Sequence, residues 1–524
     1  MSDLKLLEAG PLSALWEPEG GLRRICWGGA EILRRVYAAV RDPSWGTHLP
    51  ALETADVRSE TSSFRVRFRG RSRAGQIDVV WSGEISGEAS GSLTYRIEAQ
   101  ARADVRTHRI GLCVLYPAAL AGRACTVIQE DGRWFSGFFP ESVSPHQPFR
   151  RLRGLRWEPA AGLAAETVLE GDVFEMEDQR NWTDDSYKIY STPLEEPIPR
   201  ILPVGATVRH ELRLRVTGAA PKPEPSGEIR VEIGRGPGRP LPAIGLPAGA
   251  PRGPRIRPAH LRVELGPADA PLFRQAAREA RERGTFLEVA VTPREDVEFD
   301  RIALLVRESA LEGTRVLVGA TWEELLRTAR QRLGAVRLGA GSTNFYAELN
   351  RRPPRAELVD EVFFPAHPQV HAADAWTILE NVDGLRGAVE DARRKFPGLE
   401  VSVTPLSFAE RGKKDPREEG PLGGAWAIGA LVALAEGGAT RATVASGAEA
   451  VLEALAEAGA FEGARALPVR SSAPHLVGTL GVTGPGGARV LVFNRTGRPV
   501  TVRLEGPARA IRLEPWGWSR VNLE

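Results

Sequence analysis

Three changes of rhythm along 524 residues predict a multidomain α/β plus β architecture. The expected parts are an N-terminal antiparallel β-sandwich, a (β/α)8 TIM-like barrel and a small C-terminal β-domain. Residues 1–220 alternate apolar and polar side chains with period two. Residues 259–466 alternate short apolar strands with helical stretches. Residues 467–524 return to period two. Between the first two lies a Pro/Gly-rich stretch, 221–258, read as a linker or wrapped connection.

In the first segment Phe64-Arg-Val-Arg-Phe-Arg, Ile77-Asp-Val-Val-Trp, Ser92-Leu-Thr-Tyr-Arg-Ile-Glu-Ala and Thr207-Val-Arg-His-Glu-Leu-Arg-Leu-Arg-Val are strands with one wet face, separated by turn residues. The linker holds one possible strand, Ile229-Arg-Val-Glu-Ile. From His260 the expected strands are His260-Leu-Arg-Val-Glu-Leu, Phe286-Leu-Glu-Val-Ala-Val, Ile302-Ala-Leu-Leu-Val, Arg315-Val-Leu-Val-Gly, Val336-Arg-Leu-Gly, Glu361-Val-Phe-Phe-Pro, Leu399-Glu-Val-Ser-Val-Thr and Ala442-Thr-Val-Ala. Helices are expected from Ala270 to Arg283 and from Thr321 to Leu333. Parallel strands with helical crossovers close most simply as a barrel. An open doubly wound sheet is the alternative, and no glycine-rich dinucleotide fingerprint follows its first strand. The last segment, through Arg489-Val-Leu-Val-Phe-Asn, Val500-Thr-Val-Arg-Leu and Pro515-Trp-Gly-Trp, reads as a small β-domain.

Composition narrows the function classes. A net charge of +2 gives no field that calls for nucleic acid or an anionic membrane. Arginine is spread along the chain and alternates with glutamate, as in a high-GC or thermophilic composition. No basic region followed by an apolar run opens the chain, so no signal peptide is expected. The longest apolar segment, Ala425 to Glu436, is too short to span a bilayer. The three cysteines, Cys26, Cys113 and Cys125, have no metal-binding spacing. A cytoplasmic protein is expected.

Barrel chemistry sits at the C-terminal ends of the strands, and three such ends carry unusual polar residues. Gly339-Ala-Gly-Ser-Thr-Asn-Phe-Tyr-Ala-Glu-Leu-Asn-Arg presents Asn344, Glu348 and Asn350, with a helix cap at Thr343 or Asn344 as the structural alternative. Phe364-Pro-Ala-His-Pro-Gln-Val-His-Ala-Ala-Asp brings His367, Gln369, His371 and Asp374 together after an apolar strand. Pro368 argues against a helix carrying both histidines, and the glutamate of an HExxH zinc site is absent. A general base or a substrate hydrogen bond is the functional reading, a packed loop histidine the structural one. The third end, Thr404-Pro-Leu-Ser-Phe followed by Glu410, Arg411 and Asp415, reads as a substrate contact or a turn.

One further stretch, Phe174-Glu-Met-Glu-Asp-Gln-Arg-Asn-Trp-Thr-Asp-Asp-Ser-Tyr-Lys-Ile-Tyr, concentrates carboxylates, amides and aromatics as no other part of the chain does. A solvated hairpin would explain the charges but not the exposure of Trp182, Tyr187 and Tyr190. Aromatic faces beside carboxylates and amides suit a polyol. Glu177, Asp178, Arg180 and Asn181 rank ahead of Asp184 and Asp185, which sit in a turn-like Thr-Asp-Asp-Ser context.

These residues resemble bacterial D-apionate lactonases, enzymes of apiose catabolism. The resemblance rests chiefly on Gly171-Asp-Val-Phe-Glu-Met-Glu-Asp-Gln-Arg-Asn-Trp-Thr-Asp-Asp-Ser-Tyr-Lys. Gly21-Leu-Arg-Arg-Ile-Cys-Trp-Gly-Gly, Val40-Arg-Asp-Pro-Ser-Trp-Gly-Thr, His108-Arg-Ile-Gly-Leu-Cys-Val-Leu-Tyr-Pro, Ala259-His-Leu-Arg-Val-Glu-Leu, Asn344-Phe-Tyr-Ala-Glu-Leu-Asn-Arg and Pro368-Gln-Val-His-Ala-Ala-Asp agree in order along the chain. The resemblance implies a hydrolase that opens the lactone ring of a sugar acid, D-apionolactone to D-apionate. It also implies an aromatic pair and a glutamate ending the last barrel strand. Here that place reads Thr443-Val-Ala-Ser-Gly, with no carboxylate near Ser446.

Lactone hydrolysis needs an activated water or nucleophile, an oxyanion holder and a proton for the leaving alcohol. No GxSxG elbow is present. The candidate catalytic residues are therefore Glu348, His371, Glu177 and Asp178. Arg180, Asn181, Trp182, Tyr187, Lys188, Asn344, Asn350, His367, Gln369 and Asp374 are the candidate substrate contacts. No cofactor is expected, although a divalent metal held by acidic residues would also lower the pKa of water. The expected partner is a small sugar-acid lactone or carbohydrate. A glycoside hydrolase with paired carboxylates is the alternative, and a non-catalytic sugar-acid binding relative the second.

Overall fold

The structure is a computed structural model that describes residues 4–221, 228–234, 236, 238–266, 269–293, 295, 297–505 and 510–523. The chain divides into two compact units, Met1–Gln179 with Ser186–Ser226, and Arg180–Asp185 with Gly227–Glu524.

The first unit is a near-closed antiparallel β-structure, and the alternation of its sequence is its cause. Ser63–Ala74 buries every second residue and pairs with Ile77–Glu88 across a two-residue turn. Gly75 takes φ +53° there, the backbone that a tight hairpin of this hand requires. The buried set, including Trp81, Tyr95, Ile97 and Leu212, forms one continuous core. The strands Phe174–Asp178 and Ser186–Tyr190 pair with each other and lie inside the sheet, with Ser186–Tyr190 also paired to Arg109–Pro117. All ten of their residues are buried.

The second unit holds a closed barrel of eight parallel strands: Ala243–Pro247, His260–Leu265, Phe286–Val291, Arg315–Val318, Arg337–Gly341, Glu361–Ala366, Glu400–Leu406 and Arg441–Val444. Two sequence expectations are corrected here. The first barrel strand, Ala243–Pro247, comes from the stretch read as linker; it pairs with the eighth strand and closes the ring, so the barrel begins before residue 259. Ile302-Ala-Leu-Leu-Val is not a strand but the middle of helix Val297–Ser309, whose Phe299, Ile302, Ala303 and Val306 are buried. Ile229–Ile233 pairs parallel with Val500–Leu504 and antiparallel with Val469–Ser471, so it belongs to the C-terminal sheets. No helix among the described residues is long and apolar enough to cross a membrane.

The barrel interior is polar. Leu261, Val263, Leu287, Val289, Val316, Val318, Leu338 and Ala340 pack with helix residues such as Phe273, Ala276 and Leu326. The intervening residues of the same strands meet one another inside. His260 Nε2 lies 2.8 Å from Thr443 Oγ1. Arg262 donates to Glu288 at 2.8 Å and to Thr404 at 2.9 Å. Arg315 donates to Glu400 at 2.7 Å, and Arg441 pairs with Glu361 and with Ser402. Barrels ordinarily fill this space with branched apolar side chains.

This layer makes stability depend on pH. Burial pushes the His260 imidazole down to about 4 from its ordinary 6.5. Burial pushes Glu288 up, but His260, Arg262 and the Thr404 hydroxyl outweigh it and hold the carboxyl at about 2. As pH falls below 6.5 the unfolded chain protonates His260 first, and below 4.5 it protonates the glutamate first. Stability is therefore lost from both groups on acidification, His260 acting down to about pH 4 and Glu288 down to about pH 2. Thermal melts at pH 7 and pH 5 should show the His260 part, and H260Q should shrink that difference. An unchanged difference would rule this origin out.

Candidate active site

The loop after the sixth barrel strand is pinned at both ends. Pro368 cannot continue the strand ladder, and Asp374 caps helix Ala375–Lys395, accepting from Thr377 N at 2.9 Å and from Thr377 Oγ1 at 2.7 Å. Between these points the loop presents His371. Its Nδ1 stands 2.6 Å from Asp184 Oδ2. The other Asp184 oxygen accepts from Asn381 Nδ2 at 2.8 Å, and Asn381 Nδ2 also donates to the Pro368 carbonyl at 2.9 Å. One amide on the helix thus ties the carboxylate to the loop that carries the imidazole. Trp182 meets the His371 ring edge to face, with centroids 5.5 Å apart.

The segment Arg180–Asp185 can lie this close because of Gly384. A Cβ added there would stand 2.3 Å from the Thr183 carbonyl oxygen and 2.5 Å from the Asp184 carbonyl carbon. Thr183 itself holds φ +64°, a conformation costly for a β-branched residue and typical of functional turns. G384A should displace Asp184 from His371 and lower kcat/KM by about 10²-fold. G387A, whose Cβ would meet only Arg180 Cδ at 3.8 Å, should keep its activity. Equal activity of the two variants would show that the close packing is unimportant.

Asn350 Nδ2 donates to Asn181 Oδ1 at 2.9 Å, and Asn350 Oδ1 accepts from Lys395. Lys395 is 2.8 Å from Asp391, which also accepts from the Tyr346 hydroxyl at 2.7 Å. Asn181, Trp182, Asn350 and His371 are therefore brought into one region of the second unit, together with Arg180, which is buried.

Other expected site residues have structural employment. Glu348 accepts from Ser342 Oγ at 2.5 Å and from Asn344 Nδ2 at 2.6 Å, while Ser342 Oγ accepts from the backbone of Asn344 and Phe345. This ties down the turn into helix Tyr346–Arg351. His367 is buried beside Phe345, its Nδ1 accepts from Gln369 N at 3.3 Å, and burial lowers its pKa. Gln369 donates to the Phe408 carbonyl at 2.9 Å and to Asp415 at 3.1 Å. Asp415, held at about 2 chiefly by Arg417, thereby fastens the loop after the seventh strand to the loop after the sixth.

Glu177, Asp178, Tyr187 and Lys188 lie in the first unit. Glu177 and Lys188 face each other across the paired strands as a buried ion pair, and burial pushes the Lys188 amine down. Asp178 accepts from Ser144 N at 2.9 Å, and Tyr187 donates to the Pro140 carbonyl at 2.6 Å. At the end of the eighth barrel strand, Ser446 Oγ accepts from Ala448 N at 3.1 Å, and burial raises the Glu418 carboxyl.

The barrel mouth holds a cavity of about 230 Å3, walled by Arg262, Glu264, Thr292, Gly319, Ser342, Thr343, Phe363, Thr404 and Arg411 among others. Neither Arg262 nor Glu264 stands out in the sequence. The usable signal was position: in a strand covered by helices on one face, the alternate polar residues must point into the barrel. A larger concavity, about 790 Å3, lies on the sheet of the first unit. Its charges pair with each other, as in Arg67–Glu84, Arg96–Glu211 and Arg209–Glu98, which is how a solvated sheet face is built. Among the described residues no group of three or more His, Cys, Asp or Glu side chains is placed to hold a metal ion.

Two family models match the chain in order. Residues 2–219 match the N-terminal domain of D-apionate lactonase and residues 255–471 its TIM barrel domain. The chain belongs to the D-apionate lactonase family. A D-apionate lactonase from Brucella anthropi is 29% identical over 455 residues, which cover 77% of this chain and 73% of that protein. Among solved structures, this lactonase-family chain is similar to a GH30 endoxylanase from Clostridium papyrosolvens C71, with 11% identity, 57% of this chain and 97% of that chain covered, and a TM-score of 0.38. It is also similar to CelM2, a bifunctional glucanase-xylanase from a metagenome library, with 10% identity, 57% and 95% covered, and a TM-score of 0.41.

Proposed function

We propose that the protein hydrolyses the lactone ring of a sugar acid, D-apionolactone to D-apionate, with His371 as general base. The observation that carries this reading is the 2.6 Å contact between His371 Nδ1 and Asp184 Oδ2, within a chain of the lactonase family. An ionised Asp184 accepts from Nδ1–H and so fixes the lone pair on Nε2. That nitrogen takes a proton from water as the water oxygen adds to the lactone carbonyl. Collapse of the tetrahedral intermediate breaks the bond to the ring oxygen, and the imidazolium returns the proton to the leaving alkoxide. Arg180 and Asn181, on the same turn as Asp184, are the proposed donors to the oxyanion. The products are one hydroxy acid per water consumed, and the reading invokes no cofactor.

Paired-carboxylate glycoside hydrolysis is less well supported. It needs two carboxyl groups across the scissile bond, whereas Glu264, among the described residues the one carboxylate lining the barrel cavity, is tied to Arg262 and Arg411. A pH-stat assay over a panel of aldonolactones, with aryl glycosides beside them, tests the reading. Acid release from a branched or unbranched five-membered lactone is the expected result. Binding of these lactones without turnover would sink it.

A further inference from the structure

The described charges at the barrel-mouth cavity pair with one another. Arg262 is buried and donates to Glu288, Thr404 and Glu264, and among the described residues its Nε finds no hydrogen-bond partner. Arg411 reaches the second oxygen of Glu264. Among the described residues the two guanidinium groups are thus matched by one carboxylate on the wall, Glu264, and one buried behind it, Glu288. The volume, about 230 Å3, falls below the roughly 300–1,000 Å3 of drug-sized pockets. It suits one small ring and not an oligosaccharide. An entering carboxylate would lose its hydration beside Glu264 without gaining an unmatched cation. A neutral ring bearing hydroxyls would find an acceptor in Glu264 and donors in Arg262 and the Thr292 hydroxyl.

We propose that this cavity receives the uncharged lactone ring and that Glu264 is the specificity-determining residue that disfavours the open-chain sugar-acid product. The proposal rests on the lactonase reading for the identity of the ligand, and its test does not depend on turnover. Neutral 1,4-anhydroerythritol and anionic D-erythronate contain no ester bond. Their binding to the full chain can be compared by titration calorimetry at pH 7 and low salt. The wild type should prefer the neutral ring by about tenfold. E264Q leaves the cavity with one excess positive charge and should strengthen erythronate binding by about tenfold, with the neutral ring changed less than about threefold. R411Q, at an exposed arginine, should move the ratio the other way and covers the case in which E264Q fails to fold. G319V should remove binding of both, because a Cβ there already stands 2.4 Å from Thr343 Cγ2 and 3.0 Å from Thr292 Oγ1. Equal binding of the two ligands to the wild type, an unchanged ratio in the charge variants, or binding that survives in G319V would each overturn the proposal. Failure of the lactone assay with these binding ratios intact would instead remove the hydrolytic reading alone.

Discussion

Replacing His371 by glutamine should lower kcat for lactone opening by about 10²–10⁴-fold, the span that one positioned proton-transfer group contributes. KM should change little, since the base acts on water and not on the bound ring. The fold should survive, because His371 sits in a loop and keeps some exposure. D184N should fall by a similar factor for a different reason. Its amide would face His371 Nδ1 with either of two groups, so the imidazole would no longer be held in the tautomer with its lone pair on Nε2. N381A, which removes the amide that bonds both Asp184 and the Pro368 carbonyl, should cost less than either. Initial rates by pH-stat, with melting temperatures as a control on folding, decide the matter. Full activity in H371Q would eliminate this base whatever the other variants do.

The largest effect on stability should come from the barrel interior. E288A would leave Arg262 and His260 buried without the carboxylate that both face. Removing one partner of a buried pair costs about 3–5 kcal/mol, mostly through the stranded charge. For a unit of this size that corresponds to a fall in Tm of roughly 10 °C. E288Q keeps the shape and one acceptor for Thr404, and should lie between the wild type and E288A. E84A, whose partners Arg65 and Arg67 are exposed on the first unit's sheet, should change Tm by less than about 2 °C. If E288A and E84A melt together, the interior layer contributes nothing of consequence.

The β-structure of the first unit was legible because one face of each strand is wet, which writes the fold into the sequence as alternation. The barrel was legible as a strand–helix rhythm, with two local exceptions. Ala243–Pro247 is a five-residue strand flanked by Pro and Gly, and its pairing is decided by closure with the eighth strand, a contact that no local pattern encodes. Ile302 to Val306 is an apolar run too short to tell helix from strand by itself. The candidate site stands out in composition, and its arrangement does not. The stretch from Phe174 to Tyr190 is unusual in composition, but its carboxylates are divided by tertiary structure. Glu177 and Asp178 lie on a strand buried inside a sheet, while Asp184, discounted as a turn residue, is the one that meets His371. Arg262 and Glu264 were hidden for a related reason. Alternating Arg and Glu in His260-Leu-Arg-Val-Glu-Leu look like a solvent face, and only the helices covering the other face turn them inward.

Asp184 and His371 are 187 residues apart in sequence, with six of the eight barrel strands made between them. At about 5–20 residues per second, a ribosome delivers the carboxylate roughly ten to forty seconds before its imidazole. Asn381 follows His371 by only ten positions, so base and clamp arrive almost together on one loop and one helix. With His371 as the proposed base, a nascent chain holding only the hairpin and its acidic tip should be inert, and activity should await the sixth strand, its loop and the helix behind it. Appearance of activity during synthesis should then serve as a clock for barrel assembly, set by the order in which the chain lists its own parts.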